Sequence, residues 1–179
     1  MQLVINQIGP EGLEKTCRLD EQWLANVLAG AGTVDFRPVA PCDVQVRAER
    51  SGVGVRLQAD FRLPLLADCA ACLEDFRLEV PVRFDIQMKP RPAGLPPPPV
   101  EQELKAEDLD EYFYEGDSID VGQVLHEQVV LALPLYPRCS PDCLGLCPQC
   151  GANRNREPCS CREQAVDPRW AALRNLTGK

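Results

Sequence analysis

Apolar residues recur with two different periods along this chain. Between Cys42 and Met88 the period is two. Val44, Val46 and Ala48 alternate with polar neighbours, and Val53, Val55, Leu57, Ala59, Phe61, Leu63 and Leu65 continue on odd positions. After a break at Asp68 to Cys72 the alternation moves to even positions: Phe76, Leu78, Val80, Val82, Phe84, Ile86 and Met88. Successive strand side chains point to opposite faces, so this pattern predicts an antiparallel meander with one buried and one wet face. Ser51-Gly52-Val53-Gly54 reads as its hairpin turn. Strands of this length twist, which predicts a curved or partly closed sheet.

Elsewhere the period is helical. Asp20 is placed to cap a helix through Trp23, Leu24, Val27 and Leu28, with Gly30 and Gly32 at its end. A second helix is expected from Ser118 to Leu133, with Val121, Val124, Leu125, Val129 and Leu133 apolar and Pro134 and Pro137 beyond it. Leu3 to Ile8 reads as a short strand before a Gly-Pro turn. The fold class is therefore α+β: a curved antiparallel β-sheet, a partly closed meander, with few helices and a small C-terminal zinc-ribbon-like module. Four regions follow: a β domain over 1–89 with one helix, a Pro-rich linker and acidic segment over 90–117, a helix packing on the sheet over 118–136, and a Cys-rich module with a terminal helix over 137–179.

Composition changes this picture little. The chain has 179 residues, 45% apolar and 26% charged, enough for one core without crosslinks. No run of apolar residues is long enough for a membrane span, and residues 1–7 lack the basic start and apolar run of a secretory signal. The expectation is a soluble cytoplasmic protein.

Charge changes it more. The net charge of −8 argues against a protein that coats nucleic acid, until the charge is located. Residues 101–120 carry nine acids against Lys105, and the other 159 residues balance at 18 of each sign. Residues 137–179 carry seven basic and four acidic side chains. Arg47, Arg56, Arg62, Arg77 and Arg83 fall on the wet face of the meander, interrupted by Glu49, Asp60, Glu79 and Asp85, which reads as a solvated mixed face. The acidic segment also carries Tyr112, Phe113 and Tyr114, three adjacent aromatics that suit a tethered stretch better than a free acidic tail.

The lone histidine, His126, sits beside Glu127 in the second helical stretch with no nucleophile motif nearby. Catalysis through a histidine would have to use it, and a helix-surface role fits it better.

The cysteines carry the clearest chemistry. There are ten, and six fall in 23 residues: Cys139, Cys143, Cys147, Cys150, Cys159 and Cys161. Without an export signal, this density points to metal and not to disulfides. Cys147-Pro148-Gln149-Cys150-Gly151 has knuckle spacing, in which two thiolates wrap one ion and the glycine lets the backbone turn its amides toward sulfur. Soft thiolates without histidine favour a structural Zn²⁺, with an iron–sulfur cluster as the lesser option. Cys147 and Cys150 are the expected core of one site, and Cys139, Cys143, Cys159 and Cys161 compete for the other two positions. Cys69-Ala70-Ala71-Cys72 reads as a tight strand connection with two packed thiols, since no partner pair for a second site is evident. Cys17 and Cys42 are left unassigned.

These residues resemble a family. Asp68-Cys69-Ala70-Ala71-Cys72-Leu73-Glu74, the acidic stretch, and Glu127-Gln128-Val129-Val130-Leu131-Ala132-Leu133-Pro134 occur in the order seen in the YceD-like family of large ribosomal RNA subunit accumulation proteins. Cys143-Leu144-Gly145-Leu146-Cys147-Pro148-Gln149-Cys150-Gly151-Ala152-Asn153, Cys159-Ser160-Cys161 and Asp167-Pro168-Arg169-Trp170 complete the likeness, most specifically over 112–172. The resemblance implies a bacterial cytoplasmic factor needed for normal levels of large-subunit ribosomal RNA, with no established enzymatic activity. Family members do not all keep the C-terminal cysteines, which gives zinc a supporting role. The family's cysteine pair usually encloses a basic residue where Ala71 stands here.

The expected function is a non-catalytic factor in large ribosomal subunit biogenesis. Its expected partners are the pre-ribosomal large-subunit particle, ribosomal RNA or a basic ribosomal protein, with no membrane and no DNA. The competing expectation is a zinc-ribbon protein-interaction scaffold with no direct RNA contact. An enzyme is the third class, disfavoured because carboxylates for a metal nuclease cluster only in 101–120.

Overall fold

In a computed structural model the chain is described over residues 1–30, 34–91 and 112–161. Among the described residues the regular structure is mostly sheet, with two α-helices. The long alternation becomes β4 (Cys42–Ser51), β5 (Gly54–Asp68) and β6 (Asp75–Pro90), paired antiparallel from Ser51↔Gly54 through Val55↔Met88 to Asp68↔Asp75. One face of these strands is apolar and sealed: Val44, Val46, Leu57, Leu63 and Leu65 are fully buried. Gly54 is required at the hairpin because a Cβ there would meet the Met88 carbonyl oxygen at 2.0 Å.

The sheet departs from a simple meander at both ends. β2 (Leu13–Leu19) pairs with β4, placing an N-terminal strand at one edge. Its inward residues Cys17 and Leu19 are too few, beside Lys15, to announce a strand from the pattern alone. β7 (Tyr112–Tyr114) joins the other edge parallel to β6, so the sheet is not wholly antiparallel. β3 (Phe36–Pro38) pairs with the far end of β5. The strand path runs β2-β4-β5-β6-β7, and no ladder among the described residues closes it into a barrel.

The strand expected at Leu3–Ile8 is shorter. β1 (Gln2–Val4) gives way to a 3₁₀ turn at Ile5–Gln7 and pairs with β8 (Ser118–Asp120). That pairing moves the start of the second helix to Val121. α1 (Glu21–Ala29) begins at Asp20, whose side chain accepts the Trp23 N–H at 2.8 Å. α2 (Val121–Ala132) begins at Asp120, whose side chain accepts the Gly122 N–H at 2.9 Å. Leu24, Val27 and Leu28 of α1 and Val121, Val124, Leu125 and Val129 of α2 join the sheet's buried face in one apolar core.

On the wet face three of the five arginines are ion-paired, while Arg62 and Arg77 are exposed. Arg56 contacts Asp85, Arg83 contacts Asp60, and Arg47 contacts Glu49 and Glu14. The Pro-rich linker from residue 92, the acidic run to residue 111 and the expected C-terminal helix lie outside the described residues. No helix among those described is long and apolar enough to cross a membrane.

Candidate metal centres

The turn between β5 and β6 is six residues long, Cys69 to Glu74, and it is built like a metal knuckle. The Cys69 N–H donates to the Glu74 carbonyl and the Leu73 N–H to the Cys69 carbonyl, both at 2.9 Å. The turn at Cys147 repeats this pattern. There the Cys147 N–H donates to the Ala152 carbonyl at 2.8 Å and the Gly151 N–H to the Cys147 carbonyl at 2.9 Å. The residue after the second cysteine is left-handed in both turns, with φ of 61° at Leu73 and 74° at Gly151. Glycine adopts that conformation at little cost, whereas a leucine there is strained.

Each knuckle meets a second cysteine pair. Cys69 and Cys72 face Cys139 and Cys143, and Cys147 and Cys150 face Cys159 and Cys161. Within each quartet the four sulfurs lie within 4.8 Å of one another. Cys69 and Cys143 sulfurs are 3.8 Å apart, and those of Cys72 and Cys139 are 3.7 Å apart. A tetrahedral site with metal–sulfur bonds of about 2.3 Å has edges of about 3.8 Å, so the spacing fits zinc. It is far beyond a disulfide bond of about 2.05 Å. Either quartet could hold a metal ion.

Polar hydrogens surround these sulfurs. The Cys139 N–H donates to Cys69 Sγ at 3.4 Å, and the Asn155 side-chain amide donates to Cys143 Sγ at 3.3 Å. Burial pushes the Cys69 thiol up, but the amides of Cys139, Cys72 and Ala71 outweigh it and hold it down to about 6. The Cys150 and Gln149 amides likewise bring Cys147 to about 6. Burial and the neighbouring thiols push Cys139 up to about 12, and the Cys150 thiol with burial does the same to Cys161. Each quartet thus favours ionisation of some of its thiols and resists full ionisation while no cation balances it. A divalent ion supplies that balance.

The two quartets differ in what they join. Cys147, Cys150, Cys159 and Cys161 come from one short stretch, with Cys150 and Cys161 exposed. Cys69, Cys72 and Cys143 are buried, and this quartet links the β5–β6 turn to the chain beyond α2. The join is reinforced throughout. The Ala70 N–H donates to the Pro137 carbonyl at 2.8 Å, and the Leu146 N–H donates to the Ala71 carbonyl at 3.0 Å. Gly145, at φ 69°, lies so close that a Cβ would sit 2.9 Å from the Ala71 oxygen. Asn153 and Arg156 both reach Glu74.

The six cysteines expected to share one site therefore divide. Cys139 and Cys143 join Cys69 and Cys72, the pair for which no partner was evident in sequence. Asn153, Asn155 and Glu74, which brace the join, carry no spacing signal of their own. Cys17 and Cys42 belong to neither quartet, and burial raises both thiols. His126 is exposed on α2.

Comparison with known proteins places the chain. A family model described as "Large ribosomal RNA subunit accumulation protein YceD" matches residues 57–177. An uncharacterized protein of Mycobacterium tuberculosis is 35% identical over 136 residues, 76% of this chain and 62% of its own length. One of Mycobacterium leprae is 27% identical over 137 residues, 76% of this chain and 59% of its own. A chloroplastic "Large ribosomal RNA subunit accumulation protein YCED homolog 1" of Arabidopsis thaliana is 32% identical over 62 residues, 35% of this chain and 19% of its own. The matched region thus spans about three fifths of the mycobacterial proteins. No solved structure matches. With its family match running from β5 through both cysteine quartets, the chain belongs to the YceD family of large ribosomal RNA subunit accumulation proteins.

Proposed function

We propose that this protein is a non-catalytic, cytoplasmic factor in bacterial large ribosomal subunit biogenesis, supporting synthesis, processing or accumulation of large-subunit ribosomal RNA. The family match over residues 57–177 carries this reading. In it, each cysteine quartet holds one structural Zn²⁺. Four thiolates fill the tetrahedron and leave no position for substrate, which suits a structural ion. The first ion fastens the C-terminal module to the sheet, and the second orders the module itself.

Depletion of the protein in its host tests the role. The ratio of large- to small-subunit ribosomal RNA should fall on depletion and recover when the wild-type chain is restored. An unchanged ratio refutes the proposal.

A protein-scaffold reading without direct RNA contact is favoured by one observation. Arg47, Arg56 and Arg83 of the wet face are ion-paired within the sheet, which lowers the positive charge that face offers to phosphate and leaves it to Arg62 and Arg77. Salt separates the readings, because direct RNA binding weakens steeply as salt rises.

A further inference from the structure

A cleft of about 410 Å³ opens between β7 and the first half of α2, away from both cysteine quartets. Tyr112 and Tyr114 stand on one side of it, with Met88 and Val124 among its apolar lining. In the parallel ladder Tyr112 lies opposite Met88 and Tyr114 opposite Pro90, so the two rings share one face of the sheet. Tyr112 is anchored through its hydroxyl, which accepts from the Gln128 side-chain amide at 3.5 Å.

The charged groups of the cleft are three carboxylates, Glu115, Asp120 and Glu127, against one guanidinium, Arg91. Arg91 is engaged by Glu115 at 3.3 Å, and Asp120 by the amino group of Met1 at 3.1 Å. Glu127 is half-buried, and its described hydrogen bond comes from the neutral Gln123 amide at 3.1 Å. A second cleft among the described residues, on the wet face of the sheet, is different. Among its carboxylates, Asp60 is matched by Arg83 and Asp85 by Arg56, so its charge is met from within.

We infer that the β7–α2 cleft binds a cationic side chain, an arginine or lysine, presented by a basic protein segment. Aromatic faces attract a cation through their quadrupole, and a half-buried carboxylate beside them pairs with its charge. Tyr112 and Tyr114 supply the faces and Glu127 the charge. This deepens the ribosomal reading, since basic ribosomal proteins offer such segments, but the cleft's chemistry can be tested without any ribosome.

The test is titration of the full chain with a hexa-arginine peptide, followed by amide chemical shifts and by peptide anisotropy. Binding should saturate, with the largest shifts at Tyr112–Glu115 and Gln123–Glu127. Glu127→Gln should weaken it about fivefold, while Asp60→Asn, an equal charge change at the other cleft, should leave it unaltered. Equal weakening by the two variants would mean diffuse attraction and would overturn the inference. So would absent binding, shifts centred elsewhere, or an oligouridine strand taking the same residues in place of the peptide. None of these outcomes bears on the ribosomal RNA ratio, so failure here is distinct from failure of the proposed function.

Discussion

Cys69 and Cys143 are 74 residues apart in the chain, and their sulfurs lie 3.8 Å apart. This contact joins the tip of the longest hairpin to the segment that follows α2. The C-terminal module therefore meets the sheet at a cysteine quartet and its flanking hydrogen bonds, where apolar surface is sparse. The cluster around these sulfurs adds only Cys72, Ala71 and Phe76.

The two quartets should respond differently to substitution. Cys72→Ser should release the module from the sheet, making residues beyond Pro137 sensitive to limited proteolysis and lowering the melting temperature of the whole chain. Cys161→Ser should loosen only the module, leaving the sheet's melting temperature within about 2 °C of wild type. Equal effects on the sheet would show that the quartets are not separate in role.

Leu73 is strained at φ 61° and 66% exposed, so its side chain contributes little burial to offset the strain. Leu73→Gly should be close to neutral, because relief of strain is countered by the flexibility of glycine in the unfolded chain. Leu73→Val, with a β-branched side chain in the same conformation, should cost about 1–2 kcal/mol. Chemical denaturation of the two variants checks this order.

Where the strands of the same hairpin enter the turn, Asp68 and Asp75 face each other, and the Arg37 guanidinium spans them at 2.6 and 2.7 Å. Like charges directly opposite destabilise a strand pair, and Arg37 offsets them. Arg37→Met should lower the melting temperature by at most about 2–4 °C, as expected for a surface ion pair in a chain of this size. A second change, Asp68→Asn, should recover part of the loss.

Asp85 gives a pH dependence with a defined sign. The Arg56 guanidinium and then the Gln58 amide hold its carboxyl below the ordinary 3.8, at about 2. A depressed carboxyl stabilises the fold above its unfolded value, and the contribution is lost as pH falls from about 4 toward 2. Asp85→Asn removes it, so its melting temperature should fall less steeply than wild type across that window. Identical slopes would refute the contribution.

Much of the sheet was legible because its alternation is long. Fourteen paired positions join β5 to β6, and a one-residue slip would turn every apolar side chain outward. β2 and β7 were not legible for other reasons: β2 is an edge strand in which only Cys17 and Leu19 are buried, and β7 is three residues whose partner is chosen by the rest of the fold. The cysteine site was read in part. Knuckle spacing marks Cys147 and Cys150, and their quartet closes within a short stretch. Cys69 and Cys72 have the same spacing, but Leu73 stands where a glycine would have advertised the turn. Their partners also lie across α2, a distance in sequence that no local pattern encodes.

The two cysteine quartets predict two metal centres, one of them joining the hairpin tip to the C-terminal module. Native mass spectrometry of the full chain, purified without added metal chelator, tests this most directly. Two zinc ions per chain are expected, falling to one when Cys69 and Cys72 are both replaced by serine. One ion in the wild-type chain, unchanged by that double replacement, would contradict it.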